Sequence, residues 1–180
     1  MIKELPLDKA LKIGNGSKKI VEFTDPDCPY CRKAAEYFKD RNDVTRYVFL
    51  VSLRNNQAAD SKIANILCSN DKVKAFKEAM SGGMDNKPLE TCKDDNVMKV
   101  LNEYKELFIK SGVRGTPAFW IDTKFVSGAN IPLIDIFLEA RTQAASSPRS
   151  DRAEPVPMRQ RGISRRIIRR ISRYFPPTRR

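Results

Sequence analysis

The sequence predicts an α/β domain with a central mixed sheet, an all-helical insert and flanking helices. Two stretches carry that expectation. Ile20-Val21-Glu22-Phe23 is a short apolar run followed directly by helical spacing, with Ala34, Ala35, Tyr37 and Phe38 available for packing. Thr45 to Leu53 is a second run rich in aromatic and β-branched residues. Strand, helix and strand at this spacing suggest a crossover unit with two parallel strands.

Taken in order, residues 1–17 place Ile2, Leu5, Leu7, Ala10, Leu11 and Ile13 at roughly helical spacing. Gly14-Asn15-Gly16-Ser17 then reads as a turn. This segment is expected to be a short helix or arm leading into the domain at 18–140. A strand at Lys19–Thr24 follows, then a helix from Cys28 to about Asp40, then the second strand.

From Ala58 to Met80 the pattern is helical, with Ile63, Ile66, Leu67, Val73, Phe76 and Met80 on one side and a break near Ser69-Asn70-Asp71. Asp71 suits the cap of the second piece, and Ser81-Gly82-Gly83 ends it. A loop through Pro88 carries Cys92, and a longer helix starts at Asp94 or Asp95 and runs to Lys110, with Gly112 as its stop. The helical insert thus occupies about 58–112. Pro117 opens an apolar strand, an allowed place for a residue without a donor. Asp122-Thr123-Lys124 turns the chain into Phe125-Val126-Ser127, and Pro132 to Arg141 makes a closing helix.

The chemistry centres on Cys28-Pro29-Tyr30-Cys31, where a strand becomes a helix. Free N–H groups and a partial positive charge in a helix's first turn stabilise an anion. A Cys28 thiolate is such an anion, and the thiolate is the attacking form. Pro29 loses no helix hydrogen bond there, and Cys31 lies one turn on, within reach of Cys28. Asp25 and Asp27 oppose the thiolate with nearby negative charge. A zinc knuckle is the competing reading, and it needs two further ligands close by.

The 180 residues contain four cysteines and no histidine. A histidine base, a His-ligated metal and a Cys-His protease are therefore excluded. The zinc alternative is then a four-cysteine module using Cys28, Cys31, Cys68 and Cys92, with the basic tail binding nucleic acid or a membrane. Cys68 and Cys92 have no near-neighbour cysteine. They read as two buried free thiols or, the favoured reading, as a structural disulfide tying the loop back to the helical pair. Such a bridge would place the protein in an oxidising compartment. Thr116–Pro117 is open to a cis or a trans bond; a cis bond beside the cysteine pair would expose backbone groups of Thr116 to an incoming peptide.

The net charge of +12 is uneven. Residues 141–180 hold 12 arginines, no lysine and 2 acids, a net of +10, whereas residues 1–140 hold 22 basic and 20 acidic residues, a net of +2. The body is nearly neutral. The tail begins as a flexible linker. At 163–175 it sets Ile163, Ile167, Ile168 and Ile171 against Arg165, Arg166, Arg169, Arg170 and Arg173, a basic amphipathic segment suited to an anionic membrane surface and less specifically to nucleic-acid phosphate. No apolar run is long enough to span a bilayer, and residues 1–20 lack the apolar core of a signal peptide.

Phe23-Thr-Asp-Pro-Asp-Cys-Pro-Tyr-Cys31, the insert with Cys68-Ser-Asn-Asp-Lys-Val-Lys-Ala-Phe76, Cys92, and Gly112-Val-Arg-Gly-Thr-Pro-Ala118 together resemble the thioredoxin superfamily. Within it, the resemblance is to the catalytic domain of the bacterial disulfide isomerases of the DsbC/DsbG type, over about Lys18 to Ala140. The resemblance implies a thioredoxin-like fold and exchange or isomerisation of disulfides in protein substrates. It implies Cys28 as nucleophile, Cys31 as resolving thiol, Pro29 and Tyr30 as neighbours, and Thr116 and Pro117 as a cis-proline loop holding substrate backbone. A Cys68–Cys92 structural disulfide, a periplasmic location, misbridged secreted proteins as substrates and a membrane thiol donor of the DsbD type are implied as well. No cofactor is expected, because the two sulfurs are the redox-active atoms. Only about 17 residues precede the first expected strand, where the family has an N-terminal dimerisation domain. A monomeric reductase or oxidase with the same site is therefore the alternative within the fold.

Overall fold

A computed structural model describes residues 5–54, 56–90, 92 and 95–146. Of the Arg-rich tail expected at 141–180, residues 141–146 continue a helix, and the rest, with the 163–175 amphipathic segment, lies outside the described residues. The elements are strands β1 (Leu11–Ile13), β2 (Lys18–Thr24), β3 (Val44–Leu50), β4 (Ala118–Ile121) and β5 (Lys124–Ser127), with helices α1 (Pro29–Phe38), α2 (Gln57–Cys68), α3 (Lys72–Met80), α4 (Asp95–Lys110) and α5 (Ile131–Ser146). They build one five-stranded sheet in the order β1-β3-β2-β4-β5.

The crossover is as expected. β2 and β3 pair in parallel, Lys18 opposite Val44 through Thr24 opposite Leu50, with α1 between them in sequence. The other three pairings are antiparallel, so the sheet is mixed. Alternation along β2 sends Ile20 to a cluster with Ala34, Phe38, Phe119, Ile134 and Leu138, under α1 and α5. Val21 and Phe23 go to a larger cluster with the insert residues Ile63, Ile66, Phe76, Leu101 and Tyr104.

One element differs from expectation. The lead-in contains strand β1, where a helix or arm was expected, and it pairs antiparallel with β3 through Leu11 opposite Val48. The sheet therefore begins upstream of residue 18. Gly16 makes this possible: a Cβ there would sit 2.0 Å from the Asp43 carbonyl carbon, and its N–H bonds the Val44 carbonyl at 3.2 Å. β3 is also shorter than the apolar run, because after Val51 bonds the Thr24 carbonyl at 2.9 Å the chain turns aside. The N–H of Leu53 is then donated to Asp25 Oδ2 at 2.9 Å.

The insert forms as three helices. Asn56 caps α2 by accepting from the N–H groups of Ala58 and Ala59, and Asp71 caps α3 by accepting from Lys74 N–H. Gly112 ends α4 in the left-handed region at φ 70°. No helix among the described residues is long and apolar enough to cross a membrane.

Candidate active site

Cys28 caps α1 from an extended conformation (φ −82°, ψ 121°), with Pro29 at the first helical position. Its carbonyl accepts from Arg32 N–H at 3.1 Å, and its own N–H is donated to the Asp25 carbonyl at 3.1 Å. Cys28 is partly exposed and Cys31, one turn on, is fully buried; both are free thiols. Burial pushes the Cys31 thiol far above its ordinary range, and the Asp25 N–H, 3.4 Å from Cys31 Sγ, offsets this only in part. Tyr30, between them, is 65% exposed.

Across the cleft, the Thr116–Pro117 peptide is cis. The Cys28 thiol donates to the Thr116 carbonyl at 3.4 Å, 88 residues away in sequence. Beside this loop an open groove of about 850 Å³ runs along Val113, Arg114, Gly115, Trp120 and Phe125.

The two aspartates expected to oppose the thiolate are each engaged by other groups. Asp25 is buried; its carboxylate accepts the Asp27 and Leu53 N–H groups at 2.8 and 2.9 Å. Burial raises its pKa, and those two hydrogen bonds pull the other way. Asp27 is matched by cations that sequence reading did not place at the site: Arg32 Nη2 at 3.3 Å and the ammonium of Lys62. Both cations also hold Asp85, Arg32 in a bidentate pair at 2.6 and 2.7 Å. The Asp85 carboxyl is held well below the usual range by Arg32 first and Lys62 second. One signal could have pointed to Lys62: it falls three residues after Ala59 and four before Ile66, on the buried face of α2. Asp85, in the loop after α3, carries no local signal.

Cys68 and Cys92 are joined in a disulfide, with Cα atoms 5.7 Å apart. That overturns the four-cysteine zinc reading, because disulfide sulfurs are not thiolates and only Cys28 and Cys31 remain. Among the described residues no group of three or more metal-ligating side chains comes together.

A helix-capping cysteine in contact with a cis-proline loop at one end of a mixed five-stranded sheet gives this molecule the architecture of a thioredoxin-type thiol protein. The chain belongs to the thioredoxin-like domain family, whose model matches residues 5–129. Among its relatives, the probable thiol:disulfide interchange protein DsbC of Bordetella parapertussis is 34% identical over 130 residues, covering 71% of this chain and 43% of that protein. The thiol:disulfide interchange protein DsbC of Dickeya dadantii is 36% identical over 106 residues, 57% of this chain and 42% of that protein. The chain thus spans about two fifths of the length of these relatives. A solved disulfide interchange protein from Neisseria gonorrhoeae superposes with a TM-score of 0.64 at 30% identity, over 76% of this chain and 97% of that one. The catalytic domain of Proteus mirabilis ScsC shares the fold, with a TM-score of 0.58 at 22% identity over 75% of this chain and 90% of that one.

Proposed function

We propose that this chain is a thiol:disulfide oxidoreductase that exchanges and isomerises disulfides in protein substrates. The reading rests above all on one arrangement, a partly exposed Cys28 at a helix N-terminus with a buried thiol, Cys31, one turn behind it. Cys28 thiolate attacks one sulfur of a substrate disulfide; the Cys28–substrate S–S bond forms, the substrate bond breaks, and a substrate thiolate leaves. In isomerisation a different substrate thiolate attacks the substrate sulfur of the mixed disulfide; a new substrate disulfide forms, the Cys28–substrate bond breaks and Cys28 leaves as thiolate, whereas return of the first thiolate only reverses the attack. In reduction, Cys31 gives up its proton and attacks the Cys28 sulfur, so that two electrons pass to the substrate and a Cys28–Cys31 disulfide remains. The raised proton affinity of buried Cys31 holds it back until the mixed disulfide forms.

Thr116 and Pro117 serve substrate binding: the Thr116 carbonyl next to Cys28 accepts from a substrate backbone N–H, and the groove along Trp120 and Phe125 takes apolar side chains. Pro29 and Tyr30 form the rim of the site. The Cys68–Cys92 disulfide supports an oxidising compartment, the periplasm, with misbridged secreted proteins as substrates. A membrane thiol donor of the DsbD type then supplies the electrons that keep Cys28 and Cys31 reduced.

The test is reactivation of an enzyme with scrambled disulfides by the purified chain, beside its Cys28→Ser variant. Cys28-dependent reactivation is expected. Weak reactivation with retained disulfide reduction identifies a reductase or oxidase, and full activity in Cys28→Ser removes the proposal.

A further inference from the structure

Four charged side chains from four segments meet beside the nucleophile. Asp27 directly precedes Cys28, Arg32 follows Cys31 in α1, Lys62 lies in α2 and Asp85 in the loop after α3. Arg32 Nε donates to the Pro26 carbonyl at 2.8 Å, while its two terminal nitrogens grip Asp85. Lys62, only 7% exposed at its side chain, bridges Asp27 and Asp85. Asn56 Nδ2 completes the shell on Asp27 Oδ2 at 3.2 Å. Two cations and two anions therefore balance on the turn that carries Cys28. They line an open cleft of about 590 Å³ that also includes Ser61 and Lys87.

A purely mechanical staple would need one pair. Here every cation touches both anions, and removing the charge of any one of the four leaves an unmatched charge beside the nucleophile. Other charged groups near this turn are Lys87, which lines the same cleft, Asp25, whose carboxylate is taken up by the backbone N–H groups of Asp27 and Leu53, and Asp60, which pairs with Lys105 and acts on Asp25 through space. Asp25 thus touches the cluster through the Asp27 backbone, and its charge acts on Arg32, but it makes no ion pair with the four side chains.

We infer that Lys62 and Asp85 are positioning residues whose charges, acting through Asp27 and Arg32, set the reactivity of Cys28. The inference rests on the exchange reading above for Cys28 as nucleophile. Removing Asp85's charge leaves the cluster one unit positive, which favours the Cys28 thiolate; removing Lys62's charge leaves it one unit negative, which disfavours it. A structural role would impair both variants alike, whereas a charge role moves them in opposite directions.

The experiment is alkylation of the reduced 180-residue chain by iodoacetamide at mildly acidic pH, with modification at Cys28 followed by mass spectrometry. No disulfide substrate is involved, so the result stands apart from the success or failure of the exchange assay. Asp85→Asn is expected to react about threefold faster than the unaltered chain and Lys62→Met about threefold slower, both differences shrinking with added salt. The double variant Lys62→Met/Asp85→Asn, neutral again through Asp27 and Arg32, should return toward the unaltered rate. Asp85→Glu, which keeps the charge, should stay near it. Single variants that shift in the same direction, or a double variant further from the unaltered rate than either single, overturn the inference. Should Lys62→Met not fold, Asp85→Asn against Asp85→Glu across a salt series decides alone: equal rates, or a gap insensitive to salt, overturn it.

Discussion

The sulfur of Cys28 lies 3.4 Å from the carbonyl oxygen of Thr116, a residue 88 positions later. The two reach each other because β2 and β4 are antiparallel neighbours, with Phe23 opposite Ala118. The end of β2 that leads into the cysteine turn is therefore the end at which β4 begins. The Thr116 carbonyl therefore lies directly beside the Cys28 sulfur.

Different fates are expected for the two cysteines of the pair. Cys28→Ser should lose exchange activity, since a serine hydroxyl is a poor nucleophile toward sulfur. Cys31→Ala should instead accumulate a covalent complex, because the mixed disulfide forms but its resolving thiol is gone. Non-reducing electrophoresis after incubation with a disulfide-bonded substrate checks both. A Cys31→Ala variant that releases its substrate as fast as the unaltered chain would show that resolution runs through another thiol.

Breaking the second cysteine pair should cost stability before it costs chemistry. Cys68 and Cys92 are 24 residues apart in sequence and join the end of α2 to the loop before α4. Closing a loop of that size is worth roughly 3 kcal/mol in the chain-entropy model. The paired substitution Cys68→Ala/Cys92→Ala should lower the urea midpoint accordingly, with Cys28 still reactive to alkylating agents while the protein remains folded. Asp85 lies inside the closed loop, so a looser loop should also weaken its hold on Arg32.

What could be read from the sequence follows from what is local. The β2-α1-β3 unit, the Asp71 cap of α3 and the proline opening β4 are written in short-range patterns, and the structure has them where those patterns fall. β1 was misread because Ala10, Leu11 and Ile13 satisfy a helical spacing as well as a short strand. Pairing with β3, more than 30 residues away, decides between the two. The Lys62–Asp85 contact joins residues 23 apart across two helices, and no pattern in either segment points to the other. The sequence shows the negative charge of Asp27 beside Cys28 but not its partners Arg32 and Lys62, because folding brings Lys62 there from α2.

Acid should act on the molecule through Asp43. Arg41 grips its two carboxylate oxygens at 2.8 and 2.9 Å, and Lys18 adds a contact at 2.9 Å. The Arg41 hydrogen bonds, the largest cause, and Lys18 hold its pKa far below the ordinary value. The unfolded chain therefore binds this proton at higher pH than the folded one. The stability contributed by the group is fully present above the ordinary carboxylate pKa of about 4 and is lost as pH falls toward the folded value. Asp43→Asn should be less stable than the unaltered chain at neutral pH yet lose less of its stability on acidification. Parallel acid profiles from thermal melts would count against this role.

The buried pair Glu22–Arg46 should show a large effect on stability. Glu22 is fully buried, and its Oε2 accepts from Arg46 Nε at 2.9 Å and Nη2 at 2.6 Å. The guanidinium also lies over the Phe38 ring at 4.7 Å and the Phe76 ring at 5.5 Å, bridging α1 and α3. Because Glu22 Oε1 has no hydrogen-bond partner, the carboxylate depends on Arg46 alone among side chains. Arg46→Met removes that support and leaves a charge in the core, a loss of about 3 to 5 kcal/mol for a buried pair broken on one side. Replacing both, Glu22→Leu/Arg46→Met, removes the stranded charge and should recover most of that loss, since apolar groups of similar volume substitute well for a buried ion pair. Urea unfolding of the single and double variants measures the difference. A double variant as unstable as Arg46→Met would mean that the arginine acts mainly through its stacking on Phe38 and Phe76, and the electrostatic account of this pair would be wrong.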